Sequence, residues 1–189
     1  DRKAPLPLEL FRQISVSITT AFFNLVLKSG GDVEIHEDEN YTNFLEKVKS
    51  RDDSGLLTVS NHRSLLDDPG LMACLLPFWM GAQPKYQRWS VCSQEYCFND
   101  SLPSLIHAYF GAGKVLPIKR GAGINQRLLL DFSRHLAAGD WCHIFPEGHT
   151  WQCEPAVVGG DQRWHDWRPS LRWGVGKLIA CASVRPVVV

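Results

Sequence analysis

Two residues with the chemistry of a proton-transfer pair, His62 and Asp67, stand five positions apart directly after a strand-like apolar run at 56–60. Neutral imidazole can remove a proton from a hydroxyl near neutral pH, and a carboxylate on its other nitrogen fixes the tautomer and stabilises the imidazolium. We therefore predict His62 as a general base and Asp67 as its orienting partner. Neither Ser60 nor Ser64 lies in a Gly-x-Ser-x-Gly elbow, so the hydroxyl of a triad is assigned to the substrate.

The same spacing occurs a second time, at His135 and Asp140, so the spacing alone is a weak signal. That second pair straddles a helix stop at Gly139, and we interpret it as surface punctuation. His62 instead lies between a strand and a helix start at 67–69, where acidic residues precede a proline. Strand-to-helix turns at the carboxyl edge of a sheet are where α/β proteins commonly place chemistry. The alternative for His62 is a satisfied polar residue of a loop.

Basic residues surround a further strand-like run at 115–119. Arg120 ends this run before a glycine, and its guanidinium can hold a phosphate through two hydrogen bonds. Lys114 precedes the run and adds positive charge, while Asn61 lies beside the predicted base. We predict all three as substrate-binding residues. The alternative for Arg120 is a solvated strand end.

A Phe-Pro-Glu-Gly sequence at 145–148 follows another apolar run. Pro146 and Gly148 favour a tight turn at the end of that run. Glu147 can orient polar groups of the acceptor or pair with Arg120, and backbone N–H groups of such a turn can stabilise an oxyanion. We predict Pro146, Glu147 and Gly148 to shape the substrate site, although such a turn is also common in ordinary loops.

The composition suits a globular protein and disfavours two classes of function. The 189 residues carry 20 basic and 20 acidic side chains, so the basic surplus typical of nucleic-acid binding is missing. A metal site is not predicted, because the nearest cluster matches no zinc spacing: Cys142, His143, His149 and Cys153. The six cysteines lack a tight pattern and are expected to be mostly reduced, in an intracellular compartment.

Apolar patterns of strand and helix length alternate from residue 56 onward, which predicts an α/β fold with a single domain and a central, mostly parallel sheet covered by helices. A short strand at 33–36 and a helix at 41–50 precede this alternation. The predicted strands are 56–60, 89–93, 115–119, 142–146 and 186–189. The predicted helices are 69–76, 102–110, 124–138 and 170–182.

The N-terminal stretch at 6–27 carries apolar residues at helical spacing. Polar residues interrupt it, so a helix lying in a membrane interface is favoured over a membrane span, and packing on the domain's own core is the alternative. We expect an interfacial helix at 1–31 and a catalytic domain at 32–189 that is truncated at its C-terminus. A Trp-rich segment at 150–169 is expected to be a long loop that either rests on lipid headgroups or covers the core edge.

Four motifs in a fixed order carry a resemblance to a known family. They are the His-x4-Asp motif at 62–67, a Gly…Arg block at 113–120, the Pro-Glu-Gly turn at 145–148 and an apolar-proline strand at 185–188. The ordered set resembles the glycerolipid acyltransferase family, which includes lysophosphatidic acid and glycerol-3-phosphate acyltransferases. The resemblance implies an O-acyltransferase in which His62 and Asp67 activate a lipid hydroxyl and the other named residues bind substrate.

Within this family the motifs are most similar to those of the tafazzin-like members, from the Thr-Val-Ser-Asn-His run at 58–62 to the stretch at 171–180. This similarity implies acyl transfer between phospholipid and lysophospholipid, with cardiolipin remodelling as the expected role and no cofactor. The chain departs from the tafazzin pattern at His149, where a lysine is usual, and in a longer insertion at 151–168. An acyl-CoA-dependent lysophospholipid acyltransferase is therefore the alternative, and a non-catalytic lipid-binding protein is a minor one.

The same resemblance implies the partners and the location. Phospholipid and lysophospholipid are the expected substrates, and a membrane surface is the expected partner. The expected location is a mitochondrial membrane facing the intermembrane space, with the endoplasmic reticulum or another intracellular membrane as the alternative.

Overall fold

The computed structural model describes residues 5–30, 34–51, 54–62, 64, 66–148, 174–180 and 182–189. Its helices are α1 (Leu6–Gly30), α2 (Glu39–Lys49), α3 (Met72–Leu75), α4 (Phe78–Gly81), α5 (Gln94–Cys97), α6 (Ser104–Ala112), α7 (Arg127–Ala137) and α8 (Gly174–Ala180). Its strands are β1 (Leu56–Val59), β2 (Ser90–Ser93), β3 (Val115–Ile118), β4 (Trp141–Ile144) and β5 (Val187–Val188). A π-helical turn (Asp67–Leu71) leads into α3, and a 3₁₀ turn (Pro84–Tyr86) follows α4.

The strands form a parallel sheet whose carboxyl ends lie at one edge. β1 pairs in parallel with β4 on one side and with β5 on the other, and β2 pairs in parallel with β3. Trp89, directly before β2, forms a parallel bridge with Cys142 of β4. The spatial order is therefore β5-β1-β4-β2-β3. This arrangement confirms the predicted α/β fold with a mostly parallel sheet.

Helices cover both faces of the sheet because the buried strands present apolar side chains on alternate sides. On one face, Leu56 and Trp141 pack against α2, α3 and α4, with Phe44 and Met80 among the buried contacts. On the other face, Leu57 and Cys142 pack against α7 and α8, with Phe132, Leu136 and Leu178 buried. The sheet is thus the middle of three layers.

Close packing between β1 and α7 leaves no room for a side chain at Gly55. A Cβ built there would lie 2.0 Å from the backbone oxygen of Leu136. We expect Gly55→Ala to lower the free energy of unfolding by roughly 3 kcal/mol, because backbone must move to relieve the clash. Gly111→Ala is the matched control: it meets nothing within 4 Å on α6, and we expect stability equal to or slightly above wild type. Urea denaturation measures both, and equal stabilities for the two variants would contradict this packing.

Helix α1 turns its polar side toward the domain and its apolar side outward. Four of its side chains, Arg12, Ser17, Thr20 and Asn24, donate hydrogen bonds of 2.8–3.2 Å to the backbone carbonyls of Ala112, Ala82, Gly81 and Ala73. The opposite face exposes apolar side chains at helical spacing: Leu10, Ile14, Ile18, Phe22 and Leu25. By length and composition α1 is long and apolar enough to cross a membrane. It docks through hydrogen bonds and leaves an apolar stripe uncovered by the described residues.

The predicted strands and long helices from 41 onward are found within a few residues of their expected bounds. The short helices α4 and α5 were not predicted, since four residues give too little periodicity. The strand expected at 33–36 was wrong: residues 34–36 are irregular, and residue 33 lies outside the described part. The Trp-rich segment also lies outside it.

One pair is an exception to the expectation that the cysteines are mostly reduced. Cys92 at the end of β2 and Cys97 at the end of α5 form a disulfide, with 6.2 Å between their Cα atoms. The chain turns back directly after β2, and this brings two residues of close sequence together. Cys74 and Cys142 are free and buried.

Candidate active site

The carboxyl end of β1 delivers His62 to the edge of the sheet, and the turn at Asp67–Leu71 brings an aspartate back to it. His62 Nδ1 lies 3.0 Å from Asp67 Oδ2, and both side chains are mostly buried. The backbone N–H of Ser64 donates a second hydrogen bond of 2.9 Å to the same carboxylate oxygen. Asp67 is thereby held in place, and a proton on Nδ1 leaves Nε2 of His62 with its lone pair for a substrate proton.

The Phe-Pro-Glu-Gly turn after β4 packs directly on this pair. The ring of Phe145 stacks on the imidazole of His62, with 4.1 Å between ring centroids. Glu147 is only 4% exposed, and its Oε2 lies 3.5 Å from the backbone nitrogen of His62. Gly148 adopts a φ of 76°, a conformation that favours glycine and closes the turn. The structure thus brings Glu147 to His62, and among the described residues it shows no ion pair between Glu147 and Arg120.

A buried ion pair lies beside the His62–Asp67 pair. Arg88, two residues before β2, is 5% exposed and its guanidinium contacts the carboxylate of Asp68. Burial lowers the pKa of Arg88 to about 10, so the side chain is still charged at neutral pH. Within the described chain, Nε of Arg88 has no hydrogen-bond partner. The charge of Asp68 is therefore balanced by a buried arginine.

A chain of hydrogen-bonded polar side chains, which we call the polar ladder, runs across the sheet toward the same edge. It consists of Trp141, Thr58, His143 and Ser60. Trp141 Nε1 donates to Thr58 Oγ1 at 2.8 Å, and Thr58 Oγ1 lies 2.7 Å from His143 Nδ1. His143 Nε2 in turn lies 3.3 Å from Ser60 Oγ, and its ring meets Phe145 edge-on. Burial, with a smaller contribution from the charge of Arg88, lowers the pKa of His143 to about 3. His143 is therefore a neutral imidazole beneath the candidate base.

Arg120 follows β3 and reaches the same carboxyl edge of the sheet. In the order β1-β4-β2-β3, three strand spacings separate β1 from β3, which is about 14 Å. The Arg120 guanidinium lies over the ring of Tyr96, 5.1 Å from its centroid. Tyr96 belongs to α5, so Arg120 is held against the helix that follows the neighbouring strand β2. Asn61 is exposed directly before His62.

Lys114 does not join this group. It precedes β3 and therefore lies at the amino edge of the sheet, opposite His62. Its ammonium is buried and donates to the backbone oxygen of Gln87 at 3.1 Å, and burial lowers its pKa to about 8. The sequence suggested otherwise because charge and proximity to a strand do not reveal which end of that strand a residue occupies.

The second His-x4-Asp pair makes the same hydrogen bond at the wrong edge. His135 Nδ1 lies 2.9 Å from Asp140 Oδ2, as close as the pair at His62. However, Asp140 precedes β4, and the ring of His135 is covered by Trp89 at 3.6 Å between centroids. The pair was interpreted as surface punctuation; the structure places it at the amino edge of the sheet, away from His62, and partly buried.

Comparison with known proteins agrees with these motifs. A family model described as Acyltransferase matches residues 32–185. The chain belongs to the acyltransferase family. It is 31% identical to an N-acylphosphatidylethanolamine synthase of Arabidopsis thaliana over 94% of the chain and 56% of that protein. It is 36% identical to a tafazzin of Drosophila melanogaster over 70% of the chain and 31% of that protein.

A tafazzin of Saccharomyces cerevisiae is 27% identical over 97% of the chain and 53% of its own length. The resemblance to tafazzin-like glycerolipid acyltransferases is therefore confirmed. The chain spans between about a third and just over half the length of these relatives. The matched family region includes the ends of β1, β3 and β4, where the candidate residues gather. His149 lies outside the described residues.

Several residues of the site were not singled out in the sequence. Thr58 and His143 are polar residues at core-facing strand positions, and this break in alternation was the available signal. Arg88 and Tyr96 gave none, because single charged or aromatic residues near strand ends are common. The described residues contain no group of three His, Cys, Asp or Glu side chains that could hold a metal ion.

Proposed function

We propose that this acyltransferase moves an acyl chain from a phospholipid to the hydroxyl of a lysophospholipid, with cardiolipin as the lipid class and no coenzyme A. The observation that carries the proposal is the hydrogen bond between His62 and Asp67 at the carboxyl edge of β1, in a chain of this family. The similarity to tafazzins over most of the chain favours this donor and acceptor.

In the proposed reaction, Nε2 of His62 takes the proton of the lysolipid hydroxyl as its oxygen attacks the ester carbon of the donor. The carbonyl electron pair moves onto the carbonyl oxygen and gives a tetrahedral oxyanion. The carbonyl then re-forms, the bond to the donor's glycerol oxygen breaks, and that oxygen takes the proton back from His62. Asp67 stabilises the imidazolium throughout, and no protein nucleophile is acylated.

The remaining candidate residues have binding roles in this proposal. Arg120 holds a phosphate of the lysolipid, because its guanidinium is exposed at the same carboxyl edge of the sheet as His62. Glu147 supports the backbone of His62, and the turn with Pro146 and Gly148 shapes the acceptor site. Asn61 is exposed beside the base and contacts the acceptor. Lys114 has no substrate role in this account, because its ammonium faces Gln87.

A second candidate function differs from the first in its acyl donor. An acyl-CoA-dependent lysophospholipid acyltransferase is the alternative, and the plant relative, which is named for the synthesis of N-acylphosphatidylethanolamine, adds an amine acceptor to it. Liposomes with labelled phosphatidylcholine, monolysocardiolipin and phosphatidylethanolamine test both, and a parallel set contains unlabelled phosphatidylcholine with labelled acyl-CoA. We expect label in cardiolipin without acyl-CoA. Transfer only with labelled acyl-CoA, or only to phosphatidylethanolamine, would replace the proposal with the alternative.

We further propose that α1 lies in the membrane interface. Its contacts with the domain run from Arg12 to Asn24, about 18 Å of helix, so most of its length already packs against protein. A membrane span would need about 20 residues surrounded by lipid. An outward apolar stripe along a docked helix instead matches an interfacial helix, with the stripe entering the acyl boundary.

Charged substitutions on the stripe test this placement. Ile18 and Phe22 are 62% and 56% exposed, so Ile18→Asp with Phe22→Asp removes apolar contact area without disturbing the core. We expect liposome binding to weaken by at least about tenfold, because two apolar side chains that enter the lipid contribute several kcal/mol to the free energy of membrane binding. Leu130→Asp on α7 is the control, because Leu130 is also exposed and apolar but lies on another helix. Co-sedimentation gives the affinities, and equal binding by all variants would place the membrane surface elsewhere.

A mitochondrial membrane facing the intermembrane space is the proposed location. The similarity to tafazzins supports it, and the Cys92–Cys97 disulfide is suited to an oxidising compartment. Fractionation of cells that express the tagged chain, followed by protease treatment of mitochondria with and without outer-membrane rupture, tests the assignment. Recovery in the endoplasmic reticulum would contradict it.

A further inference from the structure

The hydrogen bonds of the polar ladder beneath His62 have a defined donor-to-acceptor direction, which follows from the chemistry of its first member. The indole nitrogen of Trp141 can only donate, so Thr58 Oγ1 must accept from it. The single proton of Thr58 then goes to one of two acceptors. Nδ1 of His143 lies 2.7 Å away, and the carbonyl oxygen of Cys142 lies 3.5 Å away. We assign the proton of Thr58 to Nδ1 of His143, because 2.7 Å is a usual distance for a hydroxyl donor and 3.5 Å is beyond that range.

This assignment fixes the tautomer of His143. A neutral imidazole has one N–H and one lone pair, and Nδ1 uses its lone pair to accept from Thr58. The proton is therefore on Nε2, which lies 3.3 Å from Ser60 Oγ. His143 is 1% exposed, so water does not compete for its ring. Ser60 thus accepts from His143 Nε2 and keeps its own proton for another acceptor.

The position of Ser60 allows its hydroxyl proton to take part in the reaction. It is the last rung of the ladder, one residue beyond the end of β1 and two residues before His62. Its partner His143 packs edge-on against the ring of Phe145, and the ring of Phe145 also stacks on that of His62. Ser60 is only partly buried, so its hydroxyl is reachable from the carboxyl edge.

We infer that Ser60 donates a hydrogen bond to the ester carbonyl oxygen that becomes the oxyanion, and that His143 is the positioning residue that directs this donor. The inference rests on the proposed acyl transfer. The carbonyl oxygen gains the electron pair in the step described above, Ser60 keeps its proton throughout, and no bond to Ser60 forms. A donor aimed at developing charge lowers the barrier more than it strengthens substrate binding.

The tautomer of His143 tests the inference without any substrate. In ¹⁵N spectra of histidine-labelled protein, a nitrogen that carries hydrogen is clearly separated from one that does not. Comparison with His143→Gln assigns the pair of signals among the 7 histidines. We expect hydrogen on Nε2. Hydrogen on Nδ1 would overturn the inference, because Ser60 would then donate to His143 and not to the substrate. A failure of the acyl-transfer proposal itself would not affect this reading.

Kinetics on liposomes test the second half, with whichever acyl donor supports transfer by the wild type. Ser60→Ala should lower kcat by about 10²-fold with KM within about twofold, the size expected for one lost oxyanion donor. Ser60→Thr keeps a hydroxyl and should recover most of that loss. Ser133→Ala on α7 is the control and should match wild type, since its hydroxyl bonds only Leu130 within its own helix. A Ser60→Ala enzyme with kcat within threefold of wild type would overturn the inference, as would a loss confined to KM.

Discussion

We expect His62→Ala to abolish acyl transfer, with a loss of about 10³-fold or more, and His135→Ala to stay within about threefold of wild type. The two histidines have the same spacing to an aspartate and nearly equal hydrogen bonds, 3.0 Å and 2.9 Å. Only His62 lies at the carboxyl edge, beside Phe145 and Glu147. Loss of a positioned base removes its contribution of about 10²–10⁴ and leaves the attacking hydroxyl protonated. Initial rates of label transfer on liposomes measure both variants.

Comparison of His62→Ala with His135→Ala separates a loss of catalysis from a loss of folding. Each substitution removes an imidazole from one hydrogen bond and one ring stack, so both are expected to melt within a few degrees of wild type by circular dichroism. Asp67→Asn should also lose about 10²-fold or more, because the amide no longer stabilises the imidazolium. A folded His62→Ala protein with undiminished transfer, or equal losses in both histidine variants, would be incompatible with His62 as the base.

Arg88→Met lowers the free energy of unfolding by about 3–5 kcal/mol. Arg88 is 5% exposed and its guanidinium is paired with Asp68, so its removal leaves a carboxylate without its partner in a mostly buried position. Breaking a buried ion pair costs this much because the remaining charge has lost both water and its partner. Urea denaturation followed by circular dichroism measures the change.

A surface ion pair supplies the comparison. Arg134 lies 2.5 Å from Asp131 on α7, but the Arg134 side chain is 73% exposed. Exposed pairs contribute little, so Arg134→Met should change stability by less than about 1 kcal/mol. The double variant Arg88→Met with Asp68→Leu removes both buried charges and should recover part of the loss. Equal effects of Arg88→Met and Arg134→Met would show that the Arg88 charge is not effectively buried.

The sequence was sufficient for the fold because its signals were periodic and repeated. Apolar runs of strand length alternated with helical patterns, and β1 and β4 were short, mainly apolar runs of four residues. The context of His62, between a strand end and a helix start, separated it correctly from His135 by place in the sheet. These inferences needed only local order along the chain.

The properties that required coordinates depend on direction in three dimensions. Helical spacing identified α1, but it did not reveal that Thr20 and Asn24 face the protein while Ile18 and Phe22 face outward. Charge near a strand identified both Arg120 and Lys114, yet only the residue after the strand reaches the carboxyl edge. A contact between two residues that lie far apart along the chain leaves no recognisable pattern in a single sequence.

In the proposed reaction the lipid hydroxyl, activated by His62, attacks the acyl donor directly. Intact-protein mass spectrometry after incubation with a donor phospholipid, without any lysolipid acceptor, tests it most directly. We predict unmodified wild-type protein, followed by acyl transfer as soon as monolysocardiolipin is added. A protein that gains the mass of one acyl chain, and loses it when acceptor is added, would contradict the claim and require a nucleophile on the chain itself.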